Sequence, residues 1–318
     1  MTNCKDHASG DQSPETHSPI WDVIAGGVAG SAAKTVVAPL DRVRILFQTS
    51  HEQFRHHSDH WNGWLRAVRE IYRSQGVRGL YKGHLATLAR NFPYSGLNFL
   101  AYEQYRNALI GFTPEQEAPW RRLMCGSLAG ATSTSLTYPL ELIRIRLAFE
   151  TLEKSRASTW AEVCRMIYQG KQGDRASLLN FYRGFAPTIV GVLPYAGISF
   201  GAHGTMQDLL RSPSIAPYTT SDSVELKAWA QLSCGAVAGV LAQTAAYPLE
   251  VIRRRSQVAD LAGVSHAGIA GTARRVYAER GLRGFYVGLT IGYLKVIPMT
   301  ATGFYVYDRV RRYMGLIE

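Results

Sequence analysis

The sequence has no close cysteine pair. Cys4, Cys125, Cys164 and Cys234 stand far apart, which argues against a CxxC zinc or redox site and gives no disulfide framework. It also has no secretory leader, because residues 1–19 are polar and lack an apolar stretch. Nor do they form an Arg-rich presequence: Lys5 is their only Lys or Arg, beside Asp6, Asp11 and Glu15. They read as a disordered tail. No clean apolar run of the ~20 residues that a lipid-spanning helix needs stands out, which by itself favours a soluble protein. Acidic residues are few, 24 against 35 basic ones, leaving a net charge of +11. That surplus calls for an anionic partner: nucleic acid, lipid headgroups, or a phosphorylated or carboxylated small molecule.

What the chain does have is an internal repeat, and it reverses the soluble reading. AGGVAG at 25–30, CGSLAG at 125–130 and CGAVAG at 234–239 each hold a GxxxG pair: Gly26/Gly30, Gly126/Gly130 and Gly235/Gly239. Thirteen residues after the first glycine of each pair stands a proline, opening PLDRVR (39–44), PLELIR (139–144) and PLEVIR (248–253). An aromatic–x–Gly triplet follows in each copy, ending at Gly83, Gly184 and Gly288. Ten residues beyond each triplet lies a second proline: Pro93, Pro194 and Pro298. The copies are offset by 100 to 109 residues. They divide the chain into units at 20–113, 114–222 and 223–318.

Each unit predicts a long helix, a polar loop with a short helix, and a second long helix: 20–49, 62–74 and 84–111; 118–149, 158–170 and 185–212; 227–258, 266–280 and 289–314. A helix of about 30 residues reaches ~45 Å, enough to cross a bilayer obliquely. Prolines inside such helices bend the axis. The GxxxG pairs predict close helix contacts of the kind membrane bundles use. The fold class expected is therefore an all-α membrane protein, six transmembrane helices in a threefold pseudo-symmetric barrel.

Charge placement agrees. The long loops 50–83, 149–184 and 258–288 hold 6, 6 and 4 Lys or Arg residues, whereas 1–19, 112–118 and 212–226 together hold Lys5 alone. The positive-inside rule produces such a split, with the long loops toward the negative compartment. The low overall hydropathy then reflects charges facing a wet cavity, and ionisable groups within a membrane read as functional.

On the first helix Lys34, Asp41, Arg44 and Gln48 share one face. The corresponding faces carry Glu141 and Arg144, then Glu250, Arg253 and Gln257. Three symmetric helices would thus offer an acid and a base at each proline kink, forming a ring of ion pairs that closes the cavity at one end. Intrahelical i,i+3 pairing on a solvated face is the plainer alternative.

These motifs resemble the mitochondrial carrier family over residues 20–314, and within it the coenzyme A carriers and the Graves disease carrier group. The resemblance implies alternating access in the mitochondrial inner membrane, with the long loops in the matrix and the termini toward the intermembrane space. It implies a functional monomer that needs no cofactor or metal and has no catalytic residue. It makes the acid–base ring a matrix gate braced by Gln48 and Gln257, with one brace missing at Ala148. An opposite, cytosolic gate is implied by Tyr102, Glu103 and Arg106 and by Tyr307, Asp308 and Arg311. The second unit has His203, Gly204 and Gln207 there, so only one complete pair can form and that gate is expected to be weak. Cardiolipin is implied at Gly83, Gly184 and Gly288, whose helix starts expose backbone amides.

Three residues before each second proline stand Arg90, Gly191 and Lys295, which the symmetry brings to one height. With Lys34 they predict a cationic site for a strongly anionic solute. Gly191 and Val192 leave an apolar floor. Tyr195 fits either an adenine-stacking ring or ordinary packing. The stretch LELIRIRLAFET at 140–151, with the Lys295 site, most resembles the coenzyme A carriers, which implies coenzyme A, an anionic adenine-containing substrate. Charge alone equally admits ADP, ATP or adenosine 3′,5′-diphosphate. A membrane-bound enzyme acting on a coenzyme A derivative would need a nucleophile–base pair, yet none recurs on the cavity face, where His84 and His203 lack matched partners. A nucleic-acid-binding protein would need cations on its surface, not in register with prolines and glycines.

Overall fold

The computed structural model describes residues 19–57, 62–109, 119–149, 159–170, 177–212, 219, 226–259, 261 and 268–314. The tail expected over 1–19 lies outside them except for Pro19. Its helices are α1 (Pro19–Gln48), α2 (Gly63–Leu80), α3 (His84–Leu109), α4 (Pro119–Phe149), α5 (Trp160–Gln169) and α6 (Phe185–Leu210). They continue with α7 (Ala228–Val258), α8 (Gly268–Arg280), α9 (Leu289–Leu294) and α10 (Val296–Tyr313). Each lies where the repeat predicts a helix, with two refinements. Gly76 interrupts α2 at φ 66°, a conformation that costs glycine little. The last long helix is broken at Lys295, three residues before Pro298, whose ring cannot donate a hydrogen bond back along the helix.

The long helices pair across unit boundaries, α3 on α4, α6 on α7 and α10 on α1. Because the last unit returns to the first, the set closes into a ring. Pro39, Pro139, Pro93, Pro194 and Pro248 all sit inside helices. The C-terminal halves of α1, α4 and α7 meet one another, and the burial is concentrated there. Val43, Leu46, Phe47, Phe54, Ala67 and Ile71 form one apolar cluster with α2, and Leu142, Ile143, Leu147, Val163 and Ile167 form its counterpart with α5. The short loop helices thus plug the outer side of each kinked helix.

Two expectations are corrected. Among the described residues two helical segments, Leu178–Leu210 and Trp229–Val258, are by length and composition apolar enough to cross a membrane. The GxxxG pairs, by contrast, are not at tight helix contacts. A Cβ added at Gly26, Gly30, Gly126, Gly130, Gly235 or Gly239 would meet nothing within 4 Å. The buried line runs one residue earlier, through Ala25, Ala29, Cys125, Ala129, Cys234 and Ala238. The glycines instead keep the adjoining surface free of side chains.

Candidate functional site

Kinking at the first proline of each unit turns one acid and one base from α1, α4 and α7 toward a common centre. There the ring closes between neighbouring helices. Arg44 Nη2 lies 2.8 Å from Glu250 Oε2, Arg253 Nη2 lies 3.2 Å from Glu141 Oε1, and Arg144 Nη2 lies 3.6 Å from Asp41 Oδ2. The intrahelical alternative is present only weakly, as Arg144 Nη1 to Glu141 Oε2 at 3.9 Å. All six side chains are largely withdrawn from solvent, Glu141 the most, with 2% of its side chain exposed. Opposite charges taken out of water stay ionised together only when so paired.

The cations expected at the solute site reach this same layer. Lys295 Nζ donates to Asp41 Oδ1 at 2.7 Å. Arg90 Nε is 3.1 Å from Glu141 Oε2, and its guanidinium lies 4.9 Å over the Tyr94 ring, a cation–π contact. Lys34 stands close enough to feel Asp41, Arg144, Arg90 and Glu141, with its Nζ 3.9 Å from Met299 Sδ. Gly191 meets α7 gently: an added Cβ would sit 3.6 Å from Leu249 Cβ. Packing therefore does not demand glycine at that position. Val192 is half-buried, and Tyr195 is 48% exposed one turn away.

Sequence reasoning missed three residues. Arg254 Nη1 is 2.6 Å from Glu141 Oε1 and 3.2 Å from Gln257 Oε1, so it joins the layer as a further cation. Its signal was the run Arg253-Arg254-Arg255, of which only the first is in ring register. Tyr138 and Tyr247 are the others. The braces Gln48 and Gln257 donate to their hydroxyls, at 3.0 Å to Tyr247 and 3.1 Å to Tyr138. Both tyrosines immediately precede a ring proline, and that was legible.

At the other end of the long helices lie the residues expected to form the second gate. Asp308 pairs within its own helix with Arg312 at 3.0 Å, and Arg311 lies 5.6 Å over the Tyr307 ring. Glu103 and Arg106 are exposed, and Tyr102 is half-buried. His203 accepts from the Gln207 amide at 3.1 Å when its Nε2 is unprotonated. These contacts each lie within one helix, whereas the ring pairs join different helices.

Gly83, Gly184 and Gly288 adopt φ of 80°, 80° and 84° and lie beside the odd helix of the next unit. An added Cβ would lie 2.9 Å from Arg144 O, 3.0 Å from Gln257 Cγ and 3.6 Å from Arg44 O, respectively, with Tyr247 Oη of the same unit at 3.2 Å from the last. Among the loops beyond the ring, a cavity of about 1080 Å³ is lined by His51, Arg55, His56, Arg183, Arg255 and Arg275. His57 Nε2 is 2.6 Å from Glu70 Oε2. Among the described residues no cluster of three or more His, Cys, Asp or Glu side chains is arranged to hold a metal. Cys164 on α5 is half-buried, and burial pushes its thiol pKa up, leaving it a poorer nucleophile.

Three segments, 15–113, 115–214 and 224–317, match the family described as "Mitochondrial carrier protein". This chain belongs to the mitochondrial carrier family. The carrier is 44% identical over 325 residues to "Mitochondrial carrier protein LEU5" of Saccharomyces cerevisiae, covering 92% of this chain and 90% of that one. It is 38% identical over 301 residues to "Solute carrier family 25 member 16" of Homo sapiens, covering 92% and 88%. It is 37% identical over 297 residues to "Mitochondrial coenzyme A transporter SLC25A42" of Xenopus laevis, covering 92% and 84%.

Proposed function

We propose that the chain is a six-span, alternating-access carrier that moves coenzyme A, or a closely related adenosine 3′,5′-diphosphate-type anion, across the mitochondrial inner membrane. One observation carries the reading. Arg44, Arg144, Arg253, Arg254, Arg90, Lys34 and Lys295 gather around Asp41, Glu141 and Glu250. Seven cations face three carboxylates, an excess of four. Coenzyme A carries a phosphomonoester, worth about two negative charges, and a diphosphate that brings its total to about four. A multiply charged phosphate ligand offsets the charge that the three carboxylates leave uncompensated. Gly191, Val192 and Tyr195 offer the adenine its seat, with Lys34, Arg90, Arg254 and Lys295 as phosphate partners. A relative named as a coenzyme A transporter favours this solute over ADP and ATP.

In this reading the ion-pair ring is the matrix gate, shut, and the long loops face the matrix with the termini in the intermembrane space. Tyr102, Glu103, Arg106, Tyr307, Asp308 and Arg311 form the cytosolic gate, weak because the second unit supplies no charge. The phosphates meet Lys295 and Arg90 where Asp41 and Glu141 now hold them, so binding competes directly with gate contacts. Cardiolipin is expected where Gly83, Gly184 and Gly288 open their helices, and the working unit is a monomer.

The test is uptake of labelled coenzyme A, ADP and ATP into proteoliposomes, with Lys295→Ala and Arg254→Gln beside the parent. Saturable coenzyme A uptake that falls at least about tenfold in either variant is expected, since one charge-assisted contact is worth about 1.5–3 kcal/mol. Uptake of ADP or ATP without coenzyme A would overturn the substrate. Undiminished coenzyme A uptake in both variants would remove those cations from the site.

A further inference from the structure

The contacts between neighbouring units share one three-part device, and it is complete only twice. In the second unit the buried Tyr138 hydroxyl donates to Arg183 O at 2.8 Å and accepts from Gln257 Nε2 of the third unit at 3.1 Å. In the third unit the buried Tyr247 hydroxyl donates to Val287 O at 3.0 Å and accepts from Gln48 Nε2 of the first unit at 3.0 Å. Each hydroxyl therefore ties the loop that opens its own unit's even helix to the end of the next unit's odd helix. The rings are held as well: Tyr138 stacks on Tyr182 at 5.8 Å between centroids, and Tyr247 on Tyr286 at 6.4 Å. Tyr247 also supports the gate itself, since the Arg44 guanidinium lies 5.3 Å over its ring.

At the remaining interface, between α1 and α4, both ends of the device are missing together. Ala38 stands where the tyrosine would be, and Ala148 where the glutamine would be. The paired loss has a physical logic. A tyrosine or a glutamine alone at these buried positions would leave a polar group with nothing to bond. Arg42, one turn after Ala38, takes part of the room, and its Nε donates to Ala148 O at 3.3 Å. A small cavity remains, lined by Ala38, Arg42, Gly83, Thr87 and Ala148 among others. The ring ion pair at this same interface, Asp41 with Arg144, is the longest of the three at 3.6 Å, against 2.8 and 3.2 Å.

We propose that Tyr138 and Tyr247 are positioning residues of the ring gate, each clamping one interface shut, and that the unclamped α1–α4 seam parts first when the gate opens. A threefold architecture with three equal clamps would have to break all of them at once. With two clamps, opening begins at the interface that the long ion pair and the Arg42–Ala148 contact hold without a tyrosine–glutamine clamp. The inference rests on the carrier reading but not on which anion is carried.

The experiment uses full-length carrier with Cys4, Cys125, Cys164 and Cys234 replaced by serine and Tyr195→Cys as a cavity reporter. A membrane-impermeant maleimide is added from the ring side in vesicles of defined orientation, without solute. Installing the third clamp with Ala38→Tyr and Ala148→Gln together is expected to slow ring-side labelling at least fivefold, while neither single change does so. Removing a clamp with Tyr138→Phe and Gln257→Ala, which keeps the ring stack, is expected to speed labelling severalfold, with folding checked by thermal unfolding. Labelling of the folded double-installed variant at the parental rate would overturn the seam, as would single variants as slow as the pair. If that variant does not fold, the clamp-removal variant decides, and an unchanged rate there would sink the proposal.

Discussion

Glu141 is the residue on which the site depends most. Its carboxylate contacts Arg253, Arg254, Arg90 and, more distantly, Arg144. Glu250 by contrast is 26% exposed at its side chain and contacts Arg44 at 2.8 Å. Neutralising a carboxylate that compensates several buried cations leaves them uncompensated, at about 3–5 kcal/mol. Glu141→Gln is therefore expected to lower the thermal unfolding temperature much more than Glu250→Gln in the same detergent. Equal shifts would mean that the surplus around Glu141 is not a stability determinant. The acid and base of each unit, and the glutamine of the first and third, were readable from spacing, because helical periodicity puts i, i+3 and i+7 on one face. Arg254 was not, because it lies one residue off that register and reaches Glu141 only through the length of its side chain.

At the scale of the element, the aromatic–x–Gly loops show why glycine recurs. Gly184 has φ 80° and, if given a Cβ, would place it 3.0 Å from Gln257 Cγ and 3.1 Å from Tyr138 Oη. Gly76 has φ 66° and nothing within 4 Å. Backbone strain alone costs a side chain on the order of 1 kcal/mol in that region. Gly76→Ala is accordingly expected to lose about that much stability, and Gly184→Ala distinctly more, because it also disturbs the clamp behind it. Matched thermal melts decide the point, and equal losses would show that close approach is not what Gly184 serves. The repeat made these loops visible as helix starts. It did not show what they press against, since the partner helix belongs to another unit. The GxxxG pairs illustrate the opposite case: their spacing suggested close packing, and the fold turned that face away from its neighbours.

For the whole molecule, the ion pairs that join α1, α4 and α7 define a state held together at the ring end. A cysteine at Tyr195 in a cysteine-free carrier is therefore expected to react with impermeant maleimide faster from the end away from the ring than from the ring side. Equal rates from both sides would mean that the ring does not seal the solute path at rest. That state follows from the kinks: each inner proline bends α1, α4 and α7 inward, so three separately weak acid–base pairs become one buried layer.

The sequence by itself determined the repeat, the helices, the segregation of basic loops and the residue types of the ring, because all of these depend on spacing within one unit. Only the tertiary structure decided which cation meets which carboxylate and that Lys295 and Arg90 rest on gate acids. It alone showed that Ala38 and Ala148 face the same interface, so that the missing glutamine and the missing tyrosine belong to one absent clamp. Those features join residues from different units, and distance across a closed ring is set by helix packing and kinking, not by separation along the chain.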